Sequence, residues 1–300
     1  MIYQRTIANP VTITGVGVHS GCRVTLTLRP AVKDQGIIFV RTDLVNLPKI
    51  KCHPFLINDT RLSSTLVDDN GVRVATIEHL MSALACFGID NLTIELSAPE
   101  VPIMDGSSNS FLFILDQANV VEQDARKKYI KILEKIDLIE SDKWVSLTPF
   151  DGFKVKLSID FKHPFFKPEY NSLEIDFSKQ SYIDEISRAR TFGFMYEVEH
   201  LRKNGLGLGG NLNNAVVIDE DNVLNEGGLR YNDEFVRHKI LDAIGDLYTI
   251  GYPIIGAFEG YKSGHSVNNK LLRKLLNTPQ SWQYVTFENE DQVPNSFHSV

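Results

Sequence analysis

The chain has 300 residues, of which 43% are hydrophobic and 23% charged, a composition typical of a globular protein long enough for two domains. Its formal net charge of −7 argues against nucleic acid as a partner, and no basic stretch interleaved with aromatic residues opposes this conclusion. Three widely spaced cysteines, without a C-x-x-C pair, indicate neither a disulfide framework nor a Cys-rich zinc site.

The first half of the chain is predicted to form a sheet followed by alternating helices and strands. The N-terminal MIYQRTIANPVTITG alternates like a strand and lacks the apolar block of a secretory signal. ATIEHLMSALACFGI has helical spacing and ends at Gly88, NLTIELS is a strand, and SSNSFLFILDQAN is a second helix. The longest apolar stretches have about half the length of a membrane span, so we expect a cytoplasmic protein with no transmembrane segment.

A domain boundary is predicted where the polar segment EQDARKK interrupts the pattern, which divides the chain into residues 1–125 and 126–300. The second half repeats the layout of a β portion followed by helices and strands, which is consistent with duplication, and the predicted class is α+β. GLGLGG lacks the G-x-G-x-x-G spacing of a nucleotide loop and is interpreted as a flexible connection. The ending QVPNSFHSV is expected to be a loose tail.

The predicted helix VRHKILDAIGDLY, residues 236–248, carries His238, Asp242 and Asp246 at every fourth position. Each i to i+4 step drifts by only about 40°, so these side chains project from one side while apolar residues face a core. A solvated helix face is the alternative, but the stripe has short side chains and includes Gly245, which costs about 1 kcal/mol relative to Ala. The pattern indicates that something approaches the stripe, and His238 with Asp242 can ligate one metal ion.

A third ligand is predicted in ATIEHL, where Thr76 is expected to cap a helix and to place Glu78 and His79 in its first turn. The alternative is that Glu78 only complements the helix dipole and that His79 is a structural imidazole. Two histidines and one carboxylate leave an open position on zinc, where bound water becomes a nucleophile near neutral pH. Glu78 is then placed to take the proton of that water.

Hydrolysis also needs an acid, and the candidate is His265 in YKSGHSV, because a loop after a predicted strand can present an imidazole to a cleft. Asp246 is expected to hold His265 protonated and oriented. The alternative is that His265 is an ordinary surface residue. His19 in GVGVHSG and Asp105-Gly106 in PIMDGSSN are interpreted as turn residues, with a site-edge position as the second interpretation for His19.

Seven motifs follow one another along the chain: GVGVHSG, TIEHLMSAL, VPIMDGSSN, RARTFGF, GLGLGGN, VLNEGGLRYNDEFVRHKILDAIGDLY and GAFEGYKSGHSVNNKLL. Together they resemble the UDP-3-O-acyl-N-acetylglucosamine deacetylases of lipid A biosynthesis in Gram-negative bacteria, over essentially the whole chain. The resemblance implies two similar domains, each a helix layer on a β-sheet, with a zinc site at the domain interface. It also implies an acylated UDP-sugar as the small-molecule substrate.

The resemblance assigns a role to each residue that matches a family motif. The implied zinc ligands are His79, His238 and Asp242, the base is Glu78, and the acid is His265 with Asp246 as its partner. The implied substrate-site residues are Thr191 for the oxyanion, Phe192 and Lys239 as lining, Phe161 for the uracil and Lys262 for the diphosphate. Residues from about 194 to 217 match an insert that forms a hydrophobic passage for the acyl chain. Position 63 is Ser where several relatives have Cys, which affects only the lining of the site.

The implied reaction is hydrolysis of the acetamide, with water on zinc deprotonated by Glu78 and the departing amine protonated by His265. A second hypothesis is a non-catalytic binder of acylated sugar nucleotides, which the presence of the complete ligand and acid–base set disfavours. A third is an Fe(II) oxygenase, which uses the same ligand types but usually on strands of a double-sheet barrel. Fe²⁺ is the alternative to Zn²⁺ as the resident metal, and we expect a monomer.

Overall fold

A computed structural model describes residues 1–298 of the chain. Its mixture of helices and strands confirms the predicted α+β class. Within residues 1–298, the helices are all too short or too polar to cross a membrane. The division into two similar domains stays a prediction.

The strands of the first 126 residues alternate buried and solvent-facing side chains. They are β1 (Tyr3–Ile7), β2 (Val11–Val16), β3 (Arg23–Pro30), β4 (Ile37–Arg41), β5 (Lys49–Lys51), β6 (Ile57–Asp59), β7 (Thr65–Val67), β8 (Arg73–Val74), β9 (Leu92–Leu96) and β10 (Val120–Arg126). One sheet has the order β2-β3-β9-β4-β5, a second joins β6, β7 and β8, and β1 pairs with β10. In β3, Val24, Leu26 and Leu28 are buried on the core face, as the two-residue period of a strand requires.

The strands of the second half surround the long strand β18. They are β11 (Tyr129–Ile132), β12 (Ile136–Glu140), β13 (Lys143–Thr148), β14 (Phe153–Ser158), β15 (Ser172–Asp176), β16 (Phe192–Phe194), β17 (Val216–Ile218), β18 (Ile254–Tyr261) and β19 (Trp282–Val285). β18 pairs in parallel with β11 and β14 and antiparallel with β13, while β12, β15 and β19 extend the sheet. β16 and β17 pair with each other at the two ends of the predicted insert.

The α-helices carry most of the predicted site residues. They are α1 (Glu78–Phe87), α2 (Asn109–Gln117), α3 (Lys179–Ser181), α4 (Met195–Lys203), α5 (Glu234–Tyr248) and α6 (His265–Leu276). α1 and α5 pack against each other and are buried on almost all sides. α1 ends at Gly88, whose φ of 62° turns its N–H back to the carbonyls of Leu84 and Ala85.

Gly245 lies where the backbone of α5 is in close contact with the backbone of α1. A Cβ atom at this position would overlap the backbone oxygen of Glu78, so glycine is required for the approach of the two helices. The prediction that something approaches the polar stripe of residues 236–248 is therefore confirmed. The approaching element is the first turn of α1, which carries Glu78 and His79.

Two local predictions in the first half are wrong. Thr76 does not cap α1, because it adopts a left-handed φ of 58° and its hydroxyl donates to Glu100 Oε1 at 3.0 Å, while Ile77 occupies the N-cap position. The segment EQDARKK interrupts regular structure only at Lys127 and Lys128, since residues up to Arg126 belong to β10 and pair with β1. In both cases tertiary contacts decide the local conformation.

The ends of the second half also differ from expectation. The expected loose tail is packed as far as His298: Val293 and Phe297 are buried, and the Met1 amino group donates to the Phe297 carbonyl at 2.9 Å. Ser299 and Val300 lie outside the described residues. The segment GLGLGG is bonded to the first half rather than free, since the Gly209 N–H donates to the Val18 carbonyl at 3.1 Å.

Candidate active site

Three side chains that can ligate a metal converge between α1 and α5. His79 comes from α1, and His238 and Asp242 come from successive turns of α5. One ligand atom from each residue lies within 4.8 Å of the others. The Nε2 atoms of His79 and His238 lie 3.4 and 3.3 Å from Asp242 Oδ1.

The chemistry of these donors fits a divalent cation. His238 Nδ1 lies 3.0 Å from the Ala189 carbonyl oxygen, so Nδ1 carries the proton and the lone pair of Nε2 faces Asp242. Asp242 Oδ1 is buried and receives no hydrogen bond from the described residues. A buried carboxylate oxygen is unfavourable without a positive partner. Burial lowers the pKa of His238 to about 4, which disfavours an imidazolium and leaves a metal ion as the fitting partner.

An acid–base pair lies beside the metal-ligand atoms. Glu78, the first residue of α1, is only 3% exposed, and its Oε1 lies 3.7 Å from His265 Nε2. His265 begins α6, and its Nδ1 lies 2.9 Å from Asp246 Oδ2 on α5. Because a carboxylate only accepts, His265 Nδ1 is the donor of this bond and Nε2 faces the cavity side. Asp246 therefore orients the imidazole, as the spacing on α5 predicts.

Burial and charge separate the pKa values of Glu78 and His265. Burial raises the pKa of Glu78 to about 6, although the imidazoles of His265 and His79 oppose the shift. Burial would lower the pKa of His265, but the carboxylates of Asp246 and Glu78 outweigh it and raise the value to about 9. Between these values the carboxylate is ionised and the imidazole is protonated. This is the state that a general base and a general acid require.

The predicted site residues share one cavity of about 830 Å³. It is lined by Glu78, His79, Phe161, Thr191, Phe192, His238, Lys239, Asp242, Lys262 and His265. Asp246 does not line the cavity and lies behind His265, to which it is hydrogen-bonded. The structure thus brings every predicted site residue to one place in the molecule.

A second cavity of about 400 Å³ shares Glu78, His79, Thr191 and Phe192 with the first, so the two meet beside the metal-ligand atoms. Most of its remaining lining comes from the predicted insert. The apolar insert residues on its wall are Met195, Val198, Leu201, Leu212, Ala215 and Val217. His19 also lines this cavity, which supports the site-edge interpretation of the residue.

The predicted substrate-binding cations already have acidic partners. Lys239 Nζ lies 2.7 Å from Asp242 Oδ2, so each oxygen of this carboxylate faces a different positive or metal-binding group. Lys262 Nζ lies 2.8 Å from Asp142 and 3.0 Å from Asp160 at the cavity margin. The hydrogen bonds to these two carboxylates raise the pKa of Lys262. Both lysines line the larger cavity in the charged form, each paired with at least one carboxylate.

Thr191 is fixed by the turn that sequence reasoning interprets as structural. Its N–H donates to the Gly106 carbonyl at 2.8 Å, and its own carbonyl accepts the Val216 N–H at 2.8 Å. Gly106 has a φ of 85°, and a Cβ there would overlap the backbone of Asn214. The Asp105-Gly106 turn thus sets the backbone position of the segment that carries Thr191.

Comparison with known sequences places this chain in a family. The sequence model of the UDP-3-O-acyl N-acetylglycosamine deacetylases matches residues 4–277. The chain belongs to this family. It is 60% identical over 299 residues to the UDP-3-O-acyl-N-acetylglucosamine deacetylase of Neisseria meningitidis serogroup A, covering 99% of this chain and 97% of the relative.

More distant deacetylases of the same name match over a similar length. The Chromobacterium violaceum protein is 58% identical over 300 residues, covering 100% of this chain and 99% of the relative. The Haemophilus influenzae protein is 50% identical over 297 residues, covering 99% of this chain and 97% of the relative. The family resemblance inferred from the seven motifs is confirmed.

Some residues of this deacetylase site escape sequence reasoning. Asn268 donates to Asp246 Oδ2 at 2.8 Å, and its position one turn after His265 on α6 is a signal that helical spacing could have provided. Ser64 donates to Asp246 Oδ1 at 2.6 Å from a short irregular segment before β7. Lys143 lines the larger cavity from β13. Neither Ser64 nor Lys143 belongs to a pattern that marks it in the sequence.

Proposed function

We propose that this chain hydrolyses the N-acetyl group of UDP-3-O-acyl-N-acetylglucosamine, giving acetate and UDP-3-O-acyl-glucosamine in lipid A biosynthesis, with Zn²⁺ as its metal. The observation that carries the proposal is the convergence of three metal-ligand atoms, a base and an acid on one cavity in a member of this family. The names of the relatives give the same substrate class. Fe²⁺ is the alternative metal, because the same ligands bind it.

His79, His238 and Asp242 hold the metal in this proposal. A divalent ion bound by two histidines and one carboxylate is a Lewis acid that lowers the pKa of water and polarises a carbonyl group. Two further contacts hold the ligand side chains in the form that binds the metal. The Ala189 carbonyl fixes the tautomer of His238, and Lys239 satisfies the second oxygen of Asp242.

Glu78 and His265 move the protons of the reaction. Glu78 accepts one proton from water as the oxygen of that water forms a bond to the acetamide carbon. His265 then donates the proton on Nε2 to the sugar nitrogen as the C–N bond breaks, which gives an amine as the leaving group. The 3.7 Å separation of Glu78 Oε1 and His265 Nε2 lets both groups reach one reacting centre. The Thr191 hydroxyl is proposed to donate to the oxyanion formed in between.

The two cavities are proposed to bind the two ends of the substrate. The larger one offers Phe161 to the uracil ring and Lys262 to the diphosphate, with Phe192 and Lys239 closer to the sugar. The smaller one, lined by apolar residues of the insert, receives the 3-O-acyl chain. Their junction beside Glu78 and His79 supports a position at the catalytic groups for the acetamide, which lies between these substrate ends.

The test is mass spectrometry of products after incubation of the purified protein with UDP-3-O-acyl-N-acetylglucosamine. We expect acetate and the free amino sugar, loss of turnover with a chelator, and recovery with added Zn²⁺. Glu78→Gln and His265→Ala are each expected to lose about 10² to 10⁴ in rate, the usual contribution of one acid or base. Full turnover by a His238→Ala variant that contains no metal would overturn the proposal.

A further inference from the structure

Ser64 lies between the two carboxylates of the proposed acid–base machinery. It is 1% exposed and precedes β7, in a segment separate from α1, α5 and α6. Its backbone N–H donates to Glu78 Oε2 at 3.1 Å, and its hydroxyl donates to Asp246 Oδ1 at 2.6 Å. Its carbonyl also accepts the N–H of Ile77 at 3.3 Å, the residue just before α1. One residue thus contacts both the base and the partner of the acid.

The first contact distinguishes the two oxygens of Glu78. Oε2 is engaged by the Ser64 N–H, whereas Oε1 is the oxygen that lies 3.7 Å from His265 Nε2. A hydrogen bond to one oxygen fixes the rotation of a carboxylate about its last side-chain bond. Oε1 is therefore directed toward the reacting centre and is the atom that accepts the proton.

The second contact fixes the plane of the Asp246 carboxylate. Ser64 donates to Oδ1 and the Asn268 amide donates to Oδ2 at 2.8 Å, so both oxygens are restrained. His265 Nδ1 lies 3.0 and 2.9 Å from the same two oxygens. The orientation of the imidazole, and hence the direction of its Nε2, follows from the orientation of this carboxylate.

We propose that Ser64 is a positioning residue that fixes Glu78 and, through Asp246, His265 relative to each other, so that base and acid face the same acetamide. The inference rests on the proposed function and adds a residue from outside the helices that carry the catalytic groups. Loss of the hydroxyl leaves Asp246 Oδ1 buried without this donor. The carboxylate then keeps the Asn268 donor on Oδ2 but is less restrained in its rotation, and His265 Nε2 spends less time aimed at the departing nitrogen.

The experiment compares three substitutions of Ser64 in the metal-loaded full chain. Ser64→Ala removes the hydroxyl, Ser64→Thr keeps it, and Ser64→Cys keeps the volume with a weaker donor. The matched control is Ser281→Ala, because Ser281 is also buried, at 2% exposure, and its hydroxyl donates to the Thr278 carbonyl at 3.0 Å, away from the site. Metal content, thermal unfolding, kcat and KM for UDP-3-O-acyl-N-acetylglucosamine are measured for each.

We expect Ser64→Ala to lower kcat by about 10- to 100-fold, the usual effect of losing an outer contact of a site, with KM and metal content unchanged. Ser64→Thr should keep most of the wild-type kcat, and Ser281→Ala should keep all of it. Ser64→Cys should have a kcat lower than that of Ser64→Thr and higher than that of Ser64→Ala. If the Ala variant does not fold, a Cys variant as active as wild type overturns the inference. Equal kcat for Ser64→Ala and Ser281→Ala overturns it too, whereas inactivity of the wild type overturns the proposed function itself.

Discussion

His265 shows how two neighbouring carboxylates can convert a partly buried imidazole into an acid. Asp246 accepts from Nδ1 at 2.9 Å, and Glu78 Oε1 lies 3.7 Å from Nε2. Burial by itself favours the neutral ring, but the two negative charges prevail and raise the pKa of His265 to about 9. The imidazolium form is therefore present below about pH 9 and is lost as the pH rises through that value.

The pH dependence of turnover should report this protonation state. We expect kcat/KM to fall on the alkaline side near the raised pKa of His265, or somewhat below it with a metal bound, because a nearby cation disfavours the imidazolium. In His265→Gln the residual rate should lack this alkaline limb. The measurement is a pH profile of kcat/KM for both proteins, and an unchanged limb in the variant would assign the acid to another group.

The sequence predicts that site residues lie together when they share one helix. His238, Asp242 and Asp246 recur at i to i+4 spacing on α5, so their common direction follows from helix geometry. Ser64 cannot be found in this way. Its contacts to Glu78 and Asp246 connect positions that are 14 and 182 residues away, and no local period marks such a residue.

The packing of α1 on α5 determines the distance between the metal ligands. His79 belongs to α1 while His238 and Asp242 belong to α5, so any separation of the helices moves one ligand away from the other two. At Gly245 the two helices are in close contact, and the neighbour is the backbone of Glu78 and not a flexible side chain. Backbone cannot move aside without moving Glu78 and His79 with it.

Gly245→Ala should therefore be destabilising despite the better helix propensity of alanine. The propensity gain is about 1 kcal/mol, whereas overpacking against backbone costs about 1 to 3 kcal/mol or more. We expect a lower midpoint of chemical unfolding and weaker metal binding, measured by denaturant titration and metal analysis. Gly227→Ala is the control, because no atom lies within 4 Å of a Cβ at that position. Equal behaviour of the two variants would contradict this account of the helix crossing.

The start of α1 shows why a helix can be predicted from the sequence while the residue that caps it is not. The helical spacing places Glu78 and His79 in the first turn, which is correct. The expected cap at Thr76 is wrong, because its hydroxyl bonds to Glu100, which also accepts the His19 N–H at 2.9 Å. This contact depends on a residue that lies 24 positions away, so it is invisible to a rule that compares near neighbours in the sequence.

At the scale of the whole molecule, the two ends of the chain are joined. The Met1 amino group donates to Glu290 and to the Phe297 carbonyl, and the Tyr129 hydroxyl donates to the Met1 carbonyl. The Phe297 ring packs 5.2 Å from that of Tyr129. A polar C-terminal sequence suggests a loose tail, but the buried side chains of Val293 and Phe297 and the bonds to Met1 dock it, and only the tertiary structure supplies these contacts.

Phe297→Ala should accordingly destabilise the protein by about 3 to 5 kcal/mol, the range for removing a buried aromatic side chain. The kcat of the folded variant should stay near wild type, because Phe297 does not line the larger cavity. Urea unfolding and steady-state kinetics at low temperature measure the two effects. Asn295→Ala is the matched control nearby, since Asn295 is exposed. A stability change of less than about 1 kcal/mol in Phe297→Ala would show that the docked end contributes little.

The metal ligands also join distant parts of the chain, since His79 lies in residues 1–125 and His238 and Asp242 in residues 126–300. A ligand that binds only the folded state stabilises it by about 2.7 kcal/mol at a free concentration 100 times its Kd. Removal of the metal by a chelator should therefore lower Tm, and added Zn²⁺ should restore it. Glu78→Gln should keep this Zn²⁺-dependent shift although it loses turnover, whereas His238→Ala should lose both. A Tm that does not respond to Zn²⁺ in the wild type would mean that the three side chains do not share one ion.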